Sequence, residues 1–349
     1  MLGDVMKKRN KELTKYFDIL CNRDYPFFID KYLELDVLKR LREIDQFCGC
    51  FYTKIHNNKY WYSRLDHSIA CALMAWNFTK DKKQTLAALF HDIGTPVFSH
   101  CIDYLLKDPL NQESSELEVS EMLKKSKQLK VLLEEDSIKL EDILDVSIYP
   151  VLENKAPMLC VDRLDGILHT VLVWIKTWNI DEIKDIYTHI VILENEKGIF
   201  ELGFDSVSSA VRFFEAIFDY SMILQKNEDK FTVQFIADTI QKLIEYGDIC
   251  FDDLYKLSEE EVIKRIMLNN NLKKSFEVFV NADEVIKSDS KPAGYHVSVA
   301  SKKKYVIPLC LYDNEIVRVD KVSVKVETLL SEYLNYNDAL YCYVDAINL

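Results

Sequence analysis

Glycine and proline are scarce in this chain, and their scarcity restricts it to folds built mainly from long helices. Its 349 residues include 8 Gly and 7 Pro, whereas architectures rich in β-strands and loops use many of both. Apolar residues recur at helical spacing in SRLDHSIACALMAWNF, KKQTLAALFHDI and PVFSHCIDYLLK, the last with Pro96 in its first turn. Hydrophobic residues make up 48% of the chain, enough for a sizeable core. The sequence therefore predicts a mainly α protein.

The pattern changes near residue 290. Beyond it, YHVSVAS, KKYVIPLCLY and EIVRVDKVSVKV alternate in the manner of β-strands, and VETLLSEYL has helical spacing. We therefore expect two parts. They are a helical domain over residues 1–290, with a short β-hairpin near 190–203, and a small C-terminal mixed α/β subdomain over residues 291–349.

Net charge and cysteine usage narrow the classes of partner. The formal net charge is −13, which argues against non-specific nucleic-acid binding because neutralising phosphates needs a basic face. The basic run Lys302-Lys303-Lys304 is interpreted as a hairpin tip rather than a nucleic-acid patch. The nine cysteines are scattered without a CxxC pair, and no apolar stretch approaches membrane length. We expect a reduced, cytoplasmic protein that does not bind membranes.

A histidine and an aspartate stand side by side at the end of an apolar run. They are His91 and Asp92 in ALFHDIGTPVFSH, and a buried helix rarely holds such a pair without a partner. His67 in RLDHSIACALMAW and Asp162 in MLCVDRLDGILHT are also polar residues within apolar segments. Imidazole and carboxylate groups are usual ligands of divalent metals. Convergence of these segments would bring two histidines and two carboxylates to one ion.

The motifs RLDHS, HDIGTPVFSH and VDRLD, taken in order, resemble those of the HD-domain metal-dependent phosphohydrolases. The residues of these motifs are most similar to those of the deoxynucleotide triphosphohydrolase branch of that superfamily. The resemblance implies an HD-type helical bundle that hydrolyses phosphate compounds and forms a homo-oligomer. It also implies that one divalent ion, which is Mn, Mg, Fe, Zn or Ni, is bound by His67, His91, Asp92 and Asp162.

The same resemblance indicates which residues would contact substrate. It implies that Arg64 and Arg163 bind substrate phosphate. Asp165 is interpreted as a residue that orients one of these two arginines. The candidate catalytic residues, which line the phosphate site or could protonate the leaving oxygen, are His100, Asp103, Glu113 and Glu116.

Three departures from the branch pattern leave the exact activity open. Thr95 replaces a common histidine, Gly166 replaces a tyrosine that helps to hold the nucleotide, and QESSELEVS lacks an expected histidine. We expect a small phosphorylated substrate, with a nucleotide favoured and triphosphate removal from a deoxynucleoside triphosphate as the specific version. The alternatives are a phosphomonoesterase or phosphodiesterase acting on another nucleotide, and a non-catalytic nucleotide-binding regulatory module.

Overall fold

The computed structural model describes residues 11–21, 24–57, 60–110 and 118–349. Helices predominate in these ranges, and the prediction of a mainly α fold is confirmed. The α-helices are α1 (Lys11–Cys21), α2 (Asp36–Lys39), α3 (Arg64–Thr79), α4 (Lys82–Phe90), α5 (Cys101–Leu105), α6 (Val119–Lys125), α7 (Lys127–Glu135), α8 (Glu141–Leu144), α9 (Val161–His169), α10 (Ile180–Thr188), α11 (Val207–Ile223), α12 (Asn227–Glu245), α13 (Glu259–Leu268), α14 (Lys273–Asn281) and α15 (Val324–Asn335).

Short elements complete the chain. The strands are β1 (Ile190–Glu194), β2 (Phe200–Phe204), β3 (Ile286–Ser288), β4 (Leu309–Tyr312), β5 (Glu315–Arg318) and β6 (Tyr341–Tyr343). The 3₁₀ turns are Phe27–Ile29, Arg40–Glu43, Cys50–Tyr52, Val146–Ile148, Phe251–Tyr255 and Val319–Lys321, and a π-helical turn at Thr170–Trp174 continues α9. None of the helices in the described ranges combines the length and the apolar character that crossing a bilayer requires.

Helix α3 lies inside the larger of two hydrophobic clusters. Ser63 and Asp66 form a capping box at its start, in which each side chain accepts from the backbone N–H of the other. From Arg64 to Ala75 every residue of the helix is buried. It packs against α1, α4 and α9. A polar side chain on α3 therefore faces other elements of the protein rather than solvent.

The ends of two neighbouring helices bring the other polar motifs to α3. Helix α4 ends at Phe90, so His91 and Asp92 begin the turn that follows it. Helix α9 starts after Cys160, whose backbone is extended, and Asp162 lies in its first turn. The HD pair is thus at the C-terminal end of one helix and Asp162 is at the N-terminal end of another.

A four-stranded sheet, in the order β1-β2-β4-β5, joins the hairpin to the C-terminal region. The parallel pairing of β2 and β4 sets Gly203 beside Leu309. A Cβ at Gly203 would lie 2.8 Å from the Leu309 carbonyl oxygen, so this close approach requires glycine. Arg318 on β5 donates to the buried Glu201 carboxylate on β2. Segment 301–308, which has no regular secondary structure, leads directly into β4.

The prediction of a helix with Pro96 in its first turn is wrong. Helix α5 begins only at Cys101, because Phe98 and Ser99 have positive φ angles of 59° and 51°. Tertiary contacts hold this conformation. Ser99 Oγ donates to the Asp45 carbonyl, and the backbone N–H of Val97 donates to the carbonyl of Leu254.

Two interpretations of the C-terminal sequence are also wrong. The DKVSVKV part of the predicted strand forms a 3₁₀ turn and the start of α15, where Ser323 caps the helix by accepting from the Val326 N–H. Lys302-Lys303-Lys304 is not a hairpin tip, because it lies in segment 301–308, which has no regular secondary structure. In both places the alternation of polar and apolar residues predicted β-structure that does not form. A pattern of period two also occurs in capped helices and in coil.

Candidate functional site

Three of the four predicted metal ligands converge closely. His67 Nε2 lies 2.9 Å from Asp162 Oδ1 and 3.3 Å from His91 Nε2. His91 Nε2 is 3.5 Å from the same Asp162 oxygen. The carboxylate of Asp92 is slightly farther away, with oxygens 3.9 Å from His67 Nε2 and 3.8 Å from His91 Nε2. The structure therefore brings all four side chains around one point.

The two imidazole rings are held so that their Nε2 atoms face each other. Nδ1 of His91 donates to the Ala88 carbonyl at 2.7 Å, and Nδ1 of His67 donates to Asp165 Oδ2 at 2.7 Å. In the neutral rings each Nε2 then carries a lone pair. Two such lone pairs at 3.3 Å need a cation or a proton between them. Cis ligands of a metal with bonds of about 2.1 Å are themselves about 3 Å apart, so these residues fit a divalent ion.

The carboxylate of Asp165 holds the ring of His67 by a hydrogen bond from its Nδ1. This fully buried carboxylate accepts from Tyr16 Oη at 2.6 Å and Tyr62 Oη at 3.1 Å as well as from His67. Burial raises the pKa of this carboxyl, but the hydrogen bonds and charges of His169 and His67 outweigh burial and hold the pKa below its usual range. The interpretation that Asp165 orients an arginine is wrong. It fixes the ring and the tautomer of a candidate ligand instead.

Arg64 is paired with Asp92. Its Nη1 lies 2.9 Å from Asp92 Oδ2 and its Nε donates to Ser99 Oγ at 3.0 Å. Burial alone would raise the pKa of Asp92. The charge of Arg64, together with those of His91 and His67, outweighs burial and holds this pKa below its usual range. Thr95 Oγ1 donates to the other Asp92 oxygen at 3.1 Å. Thr95, at a position where the branch has histidine, thus helps to keep Asp92 ionised and oriented.

Cys71 is a member of the cluster that sequence reasoning missed. Its Sγ lies 3.7 Å from both ring nitrogens of His67. Ligand atoms of His67, Cys71, His91 and Asp162 all lie within 4.8 Å of one another. Burial raises the pKa of this thiol to about 12. The available signal was spacing, because Cys71 follows His67 by one helical turn and so shares its face.

Two adjoining cavities open beside the cluster. The outer cavity has a volume of about 540 Å³ and the inner one about 100 Å³. Both are lined by Gln46, Arg64, His100, Gly166, Tyr220, Lys302 and Lys304, and Asp162 and Arg163 also line the outer cavity. The C-terminal lysines, which had no function in the sequence interpretation, therefore lie on the wall of the site.

The remaining predicted site residues differ in their surroundings. His100 Nδ1 lies 2.9 Å from Oδ2 of the buried Asp103. Burial, together with the charge of Lys304, lowers the pKa of His100 to about 4. The guanidinium group of Arg163 donates to Asn154 Oδ1 at 2.5 Å, to the Met158 carbonyl at 3.0 Å and to Glu153 Oε1 at 3.0 Å. Glu113 and Glu116 lie outside the described residues.

Comparisons with known proteins give a fold and a partial relative. No family model matches the chain. It is 22% identical over 295 residues to the uncharacterized protein YdhJ of Bacillus subtilis, which covers 84% of this chain and 86% of that protein. It is 29% identical over 103 residues to the metal-dependent phosphohydrolase cns2 of Cordyceps militaris, which covers 30% of this chain and 29% of that protein.

A solved structure supports the architecture over nearly the whole chain. A hypothetical protein from Aquifex aeolicus superposes with a TM-score of 0.59 at 14% identity, over 89% of this chain and 90% of that one. At this identity the similarity is one of fold. The partial match to cns2 and the His/Asp cluster together support the resemblance to the HD superfamily in its broad form.

Proposed function

We propose that this protein is a metal-dependent phosphohydrolase whose single divalent ion is held by His67, His91, Asp92 and Asp162. The observation that carries the proposal is the pair of Nε2 atoms facing each other at 3.3 Å, with carboxylate oxygens 2.9 to 3.9 Å away. The partial relative named as a metal-dependent phosphohydrolase supports the same chemistry. When bound, a divalent ion supplies a hydroxide near neutral pH and polarises a phosphoryl oxygen.

The cationic side chains of the outer cavity would bind and orient the phosphoryl group. Arg64 Nη2 is buried and has no hydrogen-bond partner in the described part of the chain. Nor does the Lys304 ammonium group have an ion pair there, although it lines both cavities. Both groups are therefore available to a phosphate oxygen. Arg163 lines the outer cavity too, but a phosphate would compete there with the contacts that this residue makes to the loop at 153–158.

His100 is suited to hold a proton at one defined atom. Because Nδ1 faces Asp103, Nε2 of the neutral ring is the hydrogen-bond acceptor. With a pKa of about 4 in the free protein, the ring is neutral at pH 7 and accepts a proton or a hydrogen bond. A bound phosphate dianion would raise the affinity of Nε2 for a proton, and the protonated ring could then donate to a leaving oxygen.

A nucleotide is the proposed substrate. The outer cavity of about 540 Å³ falls within the usual range for small-molecule sites. Aromatic side chains and cations both line it, including Tyr220, Tyr305 and Lys304, which suits a molecule with a ring and phosphates. Triphosphate release from a deoxynucleoside triphosphate is the specific version, and hydrolysis of another nucleotide ester is the alternative.

Turnover with product analysis tests the proposal. Metal-free protein would be supplied with Mn²⁺, Mg²⁺, Zn²⁺ or Ni²⁺ and a nucleotide panel, and the products would be separated by chromatography. We expect metal-dependent hydrolysis that falls roughly 100-fold or more in Asp92→Asn. Asp238→Asn is the matched control, because that carboxylate accepts from Gln234 and Tyr295 and lines neither cavity.

The products separate the candidate reactions. Nucleoside with intact triphosphate supports the triphosphohydrolase, whereas orthophosphate or an opened diester supports the alternative. Metal-independent turnover, or equal activity of Asp92→Asn and wild type, would contradict the proposed metal chemistry.

A further inference from the structure

Three side chains of the cluster and the thiol of Cys71 have the spacing of a tetrahedral zinc site. Zinc binds histidine nitrogen at about 2.0–2.1 Å and thiolate sulfur at about 2.3 Å. Two nitrogens of such a site are therefore about 3.3 Å apart, and a nitrogen and a sulfur are about 3.6 Å apart. His67 Nε2 lies 3.3 Å from His91 Nε2 and 3.7 Å from Cys71 Sγ. Asp162 Oδ1, at 2.9 and 3.5 Å from the two nitrogens, takes the remaining corner.

Asp92 lies outside this tetrahedral set, which consists of His67, Cys71, His91 and Asp162. One Asp92 oxygen is 3.9 Å from His67 Nε2 and the other is 3.8 Å from His91 Nε2, whereas a tetrahedral edge between nitrogen and oxygen is about 3.4 Å. A guanidinium group and a hydroxyl group hold these two oxygens. The ligand atoms of the tetrahedral set all lie within 4.8 Å of one another. Two ligand sets therefore share three residues, and either Asp92 or Cys71 completes them.

Space for an ion exists on the Cys71 side of the cluster. A small cavity of about 10 Å³ is lined by Cys71, His91 and Asp162, and Asp92 does not line it. This is about the smallest volume that holds one water molecule. Glu153 lines the cavity too, but its carboxylate already accepts from a guanidinium group and from a backbone N–H. The thiol is therefore the member of this wall that can complete the tetrahedral set.

The position of Cys71 in α3 suits a metal ligand. Cys71 follows His67 by four residues, which is about one helical turn, so both side chains lie on the same face of the helix. Zinc sites on helices use this spacing for two of their ligands. The Sγ atom is equally close to both ring nitrogens of His67. Rotation about the Cα–Cβ bond of Cys71 would direct it to the point that the other ligand atoms share.

We propose that Zn²⁺ binds the tetrahedral set, with Cys71 in place of Asp92, and that zinc bound in this way keeps the protein inactive. On binding, the thiol releases its proton to solvent and the thiolate becomes the fourth ligand. Zinc readily takes sulfur ligands, whereas Mn²⁺ and Mg²⁺ prefer oxygen. Four protein ligands close the tetrahedral site, whereas a catalytic zinc site keeps one position open. The inference rests on the metal site of the proposed function and adds that the ion decides which ligand set forms.

X-ray absorption at the zinc edge tests the proposal on the full chain loaded with one equivalent of Zn²⁺. We expect a sulfur neighbour at about 2.3 Å from zinc in wild type, and none from manganese in the Mn²⁺-loaded protein. The sulfur should be absent from Cys71→Ala and from Cys71→Ser, and either variant decides if the other fails to fold. A zinc shell of nitrogen and oxygen alone in wild type overturns the proposal.

Cys160→Ala is the matched control. Cys160 is a second buried thiol, and its Sγ lies within 4.8 Å of an Asp162 oxygen, but it accepts from the guanidinium group of Arg163 at 3.3 Å. This variant should keep the sulfur neighbour of zinc. A sulfur signal that persists in both Cys71 variants, or one that disappears in Cys160→Ala, overturns the assignment to Cys71.

Zinc affinity gives a second readout that does not depend on turnover. Competition with a chromophoric chelator should show that Cys71→Ala binds Zn²⁺ about tenfold or more weakly than wild type, because a soft ligand is lost. Equal zinc affinity of the two proteins contradicts the proposal. Cobalt(II) in place of zinc should give a sulfur-to-cobalt charge-transfer band in wild type, and Cys71→Ala should lack it.

The outcomes distinguish this inference from the proposed function. A sulfur neighbour that is lost in Cys71→Ala supports the tetrahedral set, even if no nucleotide is hydrolysed with any metal. Zinc bound without sulfur overturns the set, even if Mn²⁺ supports hydrolysis. Wild-type turnover with Zn²⁺ that equals turnover with Mn²⁺ overturns the inhibitory role of zinc.

Discussion

Replacement of Asp165 by asparagine should weaken metal binding although Asp165 is not itself a ligand. The carboxylate accepts from Tyr16 Oη at 2.6 Å, from His67 Nδ1 at 2.7 Å and from Tyr62 Oη at 3.1 Å. Asparagine has nearly the same shape but no charge, and one of its two polar ends is a donor. The change therefore alters the electrostatics of the contact with His67 while it leaves the packing almost intact.

The contacts allow an estimate of the size of the effect. A hydrogen bond to a charged group contributes about 1.5–3 kcal/mol, against about 0.5–1.5 kcal/mol for a neutral one. If the amide oxygen remains opposite His67, its NH₂ faces the hydroxyls of Tyr16 and Tyr62, which can rotate to accept. The free energy of unfolding should then fall by about 2–4 kcal/mol. Loss of the carboxylate behind a ligating histidine typically weakens metal binding by about 10- to 100-fold.

Two measurements with one control check this reasoning. Mn²⁺ binding is measured by calorimetry, and the free energy of unfolding by urea denaturation in the presence of a chelator. Asp238→Asn removes a carboxylate that accepts at 2.7 Å from Gln234 and at 2.8 Å from Tyr295. It should lower stability by about 1–2 kcal/mol without changing the metal affinity. If Asp165→Asn binds Mn²⁺ within about twofold of wild type, the inferred role of Asp165 in holding His67 is refuted.

Three further predictions concern the surroundings of the cluster. Burial raises the pKa of Glu259 to about 7, whereas the same group in the unfolded chain loses its proton near pH 4.5. As the pH rises between these two values, the free energy of unfolding should therefore fall by up to about 1.4 kcal/mol per pH unit. Urea denaturation of Glu259→Gln should lack this contribution, and an unchanged slope would contradict it. Lys304→Gln should weaken pyrophosphate binding in calorimetry by about tenfold, whereas Lys197→Gln, which removes the same charge from the exposed turn between β1 and β2, should not. Cys71→Ala should keep the Mn²⁺ affinity within about threefold, because a thiol with a pKa of about 12 is a poor ligand for a hard ion, and a larger loss would make Cys71 a ligand.

The helical fold and the His/Asp cluster could be predicted from the sequence because both follow from local patterns. Few glycines and prolines and apolar periodicity predict helices, and a polar residue inside an apolar helix must meet a partner. The sequence pattern therefore predicts that His67, His91 and Asp162 meet one another. That their nitrogens and oxygens approach within 2.9 to 3.5 Å is a property of tertiary packing, which the sequence only makes plausible.

Residues whose role depends on what lies opposite them could not be predicted. The sequence indicates only that Cys71 is a small apolar residue of a buried helix. The structure shows that its Sγ lies 3.7 Å from His67 Nδ1. The sequence around Lys304 suggests a hairpin tip, and only the folded structure shows that this lysine lines both cavities. Phe98 and Ser99 offer no local signal for positive φ, because contacts from distant parts of the chain hold them there. In each case a long-range contact overrides a local preference.

Gly166 connects the departure from the family pattern with the shape of the site. It lies within α9, four residues after Asp162, and lines both cavities. Glycine in a helix costs about 1 kcal/mol relative to alanine, yet a Cβ here would meet nothing within 4 Å, so close packing does not require the glycine. A larger side chain at this position, such as the tyrosine of the triphosphohydrolase pattern, would project into the open space that lies beside Gly166 in both cavities. The glycine therefore leaves open, at a cost of about 1 kcal/mol of helix stability, the part of the wall that both cavities share.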